Sequence, residues 1–173
     1  MGLELTVGRP KDVFTSTFAR AVATHLECQY AGRLEFPPSM KPWRSEELPW
    51  SGWAELQSSV AKTIQKPIPF HLGSVEAWSG VFLPIKLEPA ELKIAGSDTP
   101  LQVASTVNLK RELCEYARRR RLPTENGQLQ ALFEQYLDDD AKVDTDYDVQ
   151  VYSQLMQAVN NSLSRKQPLW VVK

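Results

Sequence analysis

Hydrophobic spacing changes twice along this chain of 173 residues. Phe14, Phe18, Ala21, Val22, His25 and Leu26 recur at helical spacing, and so do Trp53, Leu56, Val60 and Ile64. The middle then shifts to short apolar runs broken by Ser79-Gly80 and by Gly96-Ser97-Asp98-Thr99-Pro100. Helical spacing returns with Leu109, Leu113, Tyr116 and Ala117, then with Leu129, Leu132, Phe133, Tyr136 and Leu137, and finally with Tyr152, Leu155, Met156, Val159 and Leu163. A period near 3.6 marks one face of a helix, and short runs bounded by turn residues mark strands. Helices at both ends around clustered strands predict an α+β fold. The expectation is a single domain over residues 1–173, with a central, mostly antiparallel sheet packed by N-terminal and C-terminal helices.

The predicted strands are 3–7, 75–78, 81–87, 92–95, 101–104 and 169–172, with a further extended piece at 34–36. Pro84 inside the second middle run argues for an edge strand or a bulge, because proline cannot donate to a ladder. Ser51, Thr124 and Asp148 are suitable caps for three helices. Phe14, Phe18, Val22, Leu132, Phe133, Leu155 and Val159 are the predicted core.

Residues 37–50 interrupt this pattern. Pro37 to Trp53 holds four of the twelve prolines and three of the five tryptophans, and its first fourteen residues keep neither period. A long connection of this kind in a compact domain is commonly functional. Trp43 and Trp50 each follow a proline outside any periodic run. They are either folded over the core or exposed as binding anchors.

Composition narrows the function classes. Apolar residues make up 42%, charged residues 24%, and the formal net charge is −1, so no global field draws the chain to nucleic acid or a membrane. No apolar run reaches the length of a membrane span. Leu3, Leu5 and Val7 alternate as a strand does, which argues against a lipidated N-terminus. Two cysteines are too few for a disulfide framework, and the chain is expected to be cytoplasmic.

Catalytic motifs are missing: there is no nucleophile elbow, no Walker loop and no His-Glu-x-x-His. The metal-ligating residues His25, Cys28, His71 and Cys114 fit no zinc-module spacing, so neither metal nor cofactor is expected. An enzyme built on His71 and nearby carboxylates is the third-ranked reading. Asp144-x-Asp146-x-Asp148 opens like a calcium loop, but Val149 and Leu155 stand where that loop needs glycine and glutamate.

Two charge features remain. Arg118, Arg119, Arg120 and Arg121 close a predicted helix, where cations complement the dipole; phosphate contact is the sharper reading. Glu134, Asp138, Asp139, Asp140, Asp144, Asp146 and Asp148 crowd fifteen residues, either as a solvated connection or as a face for a basic partner. The leading expectation is a non-enzymatic protein-binding domain, most concretely a small inhibitor or immunity-type protein. Its partner-binding residues would be Trp43, Trp50, Asp138, Asp139, Asp140, Asp144 and Asp146. The alternative is a small-molecule or nucleotide-binding domain using the Trp/Pro loop and the arginine run.

Overall fold

The computed structural model describes residues 2–37, 40–65, 70–78, 80–137 and 147–172. Among them lie seven strands, β1 (Gly2–Val7), β2 (Trp43–Arg44), β3 (Leu48–Pro49), β4 (Gly80–Leu83), β5 (Ala90–Leu92), β6 (Leu101–Ser105) and β7 (Leu169–Val172). The α-helices are α1 (Ser16–Gln29), α2 (Trp50–Ile64), α3 (Thr106–Arg120), α4 (Asn126–Leu137) and α5 (Tyr147–Arg165). The strands form one sheet in the order β2-β1-β7-β4-β6-β5, with β3 also on β1. Only the β4–β6 pair is parallel among the described pairings. The architecture is the expected α+β arrangement with a mostly antiparallel sheet.

Both faces of the central strands are covered, which explains why they read as continuous apolar runs. Leu3, Leu5, Val7, Phe82, Ala104, Leu169 and Val171 face the layer of α2, α3, α4 and α5. Val81, Leu83, Val103 and Trp170 face the other way, toward Val22 and Leu26 of α1. The alternation along β4 and β7 is that of any strand, with successive side chains on opposite faces. Val22, Phe133, Leu155 and Val159 are buried as expected, while Phe14, Phe18 and Leu132 are half-buried. His25, assigned to the apolar face of α1, is exposed. Ala19, Val22 and Leu26 occupy that helix's buried line instead.

Several expected boundaries move for local reasons. Pro84 does not mark an edge: β4 ends at Leu83 and lies between β7 and β6. The chain leaves the ladder just before the residue that cannot donate to it. Residues 75–78 form a turn and not a strand. Gly80 makes this turn feasible, because a Cβ there would press into Val75 and sit 2.9 Å from the Gln102 carbonyl.

α2 starts at Trp50 with Pro49 as its cap position, so Ser51 is already inside it. Asp148 lies in the first turn of α5. Ser105, which ends β6, caps α3 by accepting from the Asn108 N–H at 3.2 Å. Its hydroxyl also donates to the Ile85 carbonyl at 2.7 Å, fixing the connection that leaves β4.

The Pro/Trp-rich segment is partly strand. Trp43 and Arg44 pair with Val7 and Thr6, and Leu48 and Pro49 pair with Leu3 and Gly2. It is a broken edge strand along β1. Ser45 fills the break: its N–H donates to the Leu5 carbonyl at 2.9 Å and its hydroxyl accepts from the Leu5 N–H at 3.0 Å. An edge strand tolerates Pro42 and Pro49 because one of its sides needs no partner. Two paired residues at a time leave no period to read.

Candidate functional site

The described surface carries one pair of exposed aromatic rings in contact. Trp50 opens α2 and is 57% exposed, and Trp78 in the turn before β4 is 39% exposed. Their ring centroids are 6.5 Å apart with planes tilted by 32°. Trp78 has φ of 67°, a left-handed conformation that a bulky residue adopts at a cost. Its Nε1–H reaches the Gly2 carbonyl at 3.4 Å. The Glu47 side chain lies over the same Gly2, so a carboxylate borders the pair.

Two further features join this face. Gly52, one turn into α2, packs against Tyr147, whose carbonyl would sit 3.2 Å from a Cβ at that position. Tyr147 is itself exposed, and it is the residue that follows the acidic stretch in sequence. Trp78 also lines a cavity of about 170 Å³, together with Phe14, Phe18, Ile94 and Leu101. The arrangement offers flat aromatic surface, a neighbouring recess and adjoining negative charge. Those are the components of a protein-binding anchor: aromatic residues supply contact area and charge sets the orientation.

The other sequence-predicted residues are placed differently. Trp43 is half-buried at the rim of the main core, so its indole is committed to packing. Asp138, Asp139, Asp140, Asp144 and Asp146 lie outside the described residues. Asp148 is buried, with one carboxylate oxygen accepting from the Tyr116 hydroxyl at 3.1 Å and forming an ion pair with Arg120 at 3.8 Å. Burial pushes the Tyr116 hydroxyl up to about 12, so it remains a donor in that bond at neutral pH.

The arginine run is largely engaged within the fold. Arg118 and Arg119 both bind Glu115, at 2.9 and 2.6 Å. Arg119 also donates to the Thr63 carbonyl at the end of α2, and Arg120 donates to Ser59 and lies over the Tyr116 ring. Arg121 ends α3 with φ of 56°. The guanidiniums tie α3 to α2 and to α5, as cations at a helix C-terminus can.

His71 is buried and fully engaged. Its Nδ1 accepts from the Ser105 N–H at 3.2 Å, and Nε2 lies 3.1 Å from the Asn108 side-chain amide. The Asn108 atom at that distance is Nδ2; a neutral ring that accepts at Nδ1 carries its proton on Nε2, and it donates to Asn108 when that amide is turned to present its oxygen. Glu112 accepts from the backbone N–H groups of His71 and Leu72 at 2.8 and 3.0 Å. Neither ring nitrogen is left for a substrate in this arrangement. His71 pins the segment before β4 onto α3.

Burial holds the His71 pKa below its ordinary 6.5, against the opposing pull of the Glu112 and Glu88 carboxylates. The unfolded chain therefore takes up this proton before the folded one does. His71 contributes stability above pH about 6.5, and that contribution is lost as pH falls through the lower folded value. Urea unfolding measured from pH 7.5 down to pH 5 should show stability declining, with a flatter profile for His71→Gln. Glu115, held at about 2 by Arg118 and Arg119, acts in a separate window below its ordinary 4.5. An identical pH profile for His71→Gln would remove the assigned role.

The four potential metal ligands do not converge. Cys28 and His25 are exposed on α1, on one side of the sheet. His71 and Cys114 belong to the opposite layer. Among the described residues no group of three histidine, cysteine or carboxylate side chains is placed to hold a metal, and no helix is long and apolar enough to cross a membrane.

Trp78 was not singled out by sequence, because Val75 to Trp78 has the look of a strand. Its only local sign is the following Ser79-Gly80. The chain matches no protein-family model, no curated protein and no solved structure.

Proposed function

We propose that this chain is a non-enzymatic protein-binding domain, most concretely a small cytoplasmic inhibitor or immunity-type protein, that captures a basic partner on the Trp50–Trp78 face. The observation that carries this reading is the pair itself: two exposed indoles in contact, one of them held in a left-handed conformation. Backbone strain of this kind costs about 1–3 kcal/mol and persists where other constraints or function require it. Negative charge supports a basic partner. Glu47 borders the pair, and Tyr147 joins it to a stretch holding Asp138, Asp139, Asp140, Asp144 and Asp146. A cationic side chain of the partner would lie over an indole face, an attraction of about 0.5–2 kcal/mol depending on desolvation.

Capture from cell extract, compared between wild type and Trp50→Ala, tests this proposal. The expected result is a stoichiometric protein with a basic surface, retained by wild type and lost from the variant. Replacing Asp138, Asp139 and Asp140 together by asparagine should slow its association, more so at low salt, while leaving the fold intact. Equal retention by Trp50→Ala would contradict the placement of the face. An unchanged on-rate in the triple variant would remove the acidic stretch from it.

A further inference from the structure

A second surface, distant in sequence from the Trp50–Trp78 face, carries the opposite charge. Between the 3-10 turn Pro10–Asp12 and α1 lies a cleft of about 310 Å³, lined by Arg9, Pro10, Lys11, Ser16, Ala19, Arg20, Ala23, Glu27 and Phe36. Three of these residues are cations and one is an anion. The cleft floor is apolar: Pro10 and Ala19 are buried, and Ala23 and Phe36 half-buried.

Among the described residues, none of Arg9, Lys11 and Arg20 forms an ion pair with a carboxylate. The Asp12 carboxylate is engaged by the Arg9 backbone N–H at 2.8 Å. Arg9 also carries a guanidinium nitrogen, Nη2, that is buried and without an acceptor among the described residues. Guanidinium donors withdrawn from water are normally satisfied, so Arg9 keeps hydrogen-bonding capacity that the described residues do not use. By contrast, Arg44, Arg118, Arg119 and Arg120 all find carboxylates.

The helix beside the cleft favours an anion as well. Thr15 makes no side-chain cap bond, and no acidic residue lies in the first turn of α1. Among the described residues no acceptor meets the N–H groups of Ser16, Thr17 and Phe18, and such groups at the positive end of a helix dipole favour an anion. Ser16, at the mouth, adds a hydroxyl donor. Ser16, Ala19, Arg20, Ala23 and Glu27 follow one flank of the helix, so the polar groups head the cleft and the small residues continue its floor. Glu27 lies about 10 Å beyond Arg20 along the axis at 1.5 Å per residue.

We propose that this cleft binds a phosphate monoester carried on a flat apolar body. The phosphate lies among Arg9, Lys11, Arg20 and Ser16, where two guanidiniums can grip it bidentately. The body lies over Ala19 and Ala23 against Phe36. A dianion suits three cations better than a monocarboxylate does. Glu27 accepts from any hydroxyl or amino group at the far end of the ligand. The site shares no residue with the Trp50–Trp78 face, so its failure and the failure of the protein-binding reading are separable.

Phenyl phosphate is the probe, titrated into the full chain and followed by calorimetry and amide chemical shifts. Saturable binding is expected, with shifts centred on residues 9–11, 16–27 and 36. Inorganic phosphate should bind more weakly, because it leaves the floor uncovered. Lys11 and Arg20 are exposed, so Lys11→Gln and Arg20→Gln should fold normally. Each should weaken phenyl phosphate by about tenfold, as loss of a charged hydrogen bond does. Trp50→Ala should leave it unchanged. Absence of saturable binding, wild-type affinity in both glutamine variants, or shifts centred on Arg118 to Arg121 would overturn the assignment. So would equal affinity for inorganic phosphate.

Discussion

A chain ending at Pro168, without β7, should not fold. The last strand sits in the middle of the sheet, antiparallel to β1 on one side and to β4 on the other. Leu169, Trp170 and Val171 are fully buried, alternating between the two cores. Fully burying a large apolar side chain contributes about 1.5–3 kcal/mol, so three of them match much of a typical total stability of about 5–15 kcal/mol. The loss goes further than those contacts. Trp170 donates from Nε1 to the Gly8 carbonyl at 2.8 Å and meets Phe14 edge to face, so α1 and the β1 turn lose their anchor together. Without β7 nothing pairs β1 to β4. Circular dichroism and amide dispersion of the truncated chain should be those of an unfolded or molten polypeptide. A cooperative urea transition in that chain would contradict the sheet order.

Phe133→Ala should cost about 3–5 kcal/mol, the range for emptying a buried aromatic site. Phe133 is buried in the main core from α4, the helix laid against α5. Polar bonds hold the same junction: the Tyr152 hydroxyl donates to the Pro123 carbonyl at 2.7 Å, and Asn160 donates to the Thr124 carbonyl at 2.9 Å. These keep α4 from sliding into the cavity, so the packing loss should not be recovered by collapse. Equilibrium urea melts check it. Near-wild-type stability would mean that α4 does not pack as described.

Much of this scaffold is legible in the chain. The spacing of Leu129, Phe133 and the residues around them reveals α4, and Tyr152, Leu155, Met156 and Val159 reveal α5, because a long amphipathic face repeats its signal. The short run Leu169 to Val172 is readable as a strand, but its place at the centre of the sheet is not, since pairing between distant segments leaves no local trace. The parallel β4–β6 pairing is hidden for the same reason. β2 and β3 escape because two paired residues cannot show alternation. At the surface, Trp50 is visible as an oddity among prolines, whereas Trp78 looks like strand until its backbone angle is known. Arg9, Lys11 and Arg20 are separated by ordinary residues and meet only when the turn at Pro10 folds back on α1.

The protein-binding reading depends most on Trp78, and Trp78→Gly tests it most directly. Glycine adopts the left-handed conformation freely, which relieves about 1–2 kcal/mol of backbone strain and offsets the packing lost with the indole. Stability should therefore stay within about 1 kcal/mol of wild type, inside the ordinary range for single substitutions. Affinity for the captured partner should fall by about thirtyfold or more, the consequence of removing a hot-spot tryptophan worth about 2 kcal/mol or more. Unchanged stability together with a collapse in affinity is the result this account predicts. Unchanged affinity in a well-folded Trp78→Gly protein would contradict it.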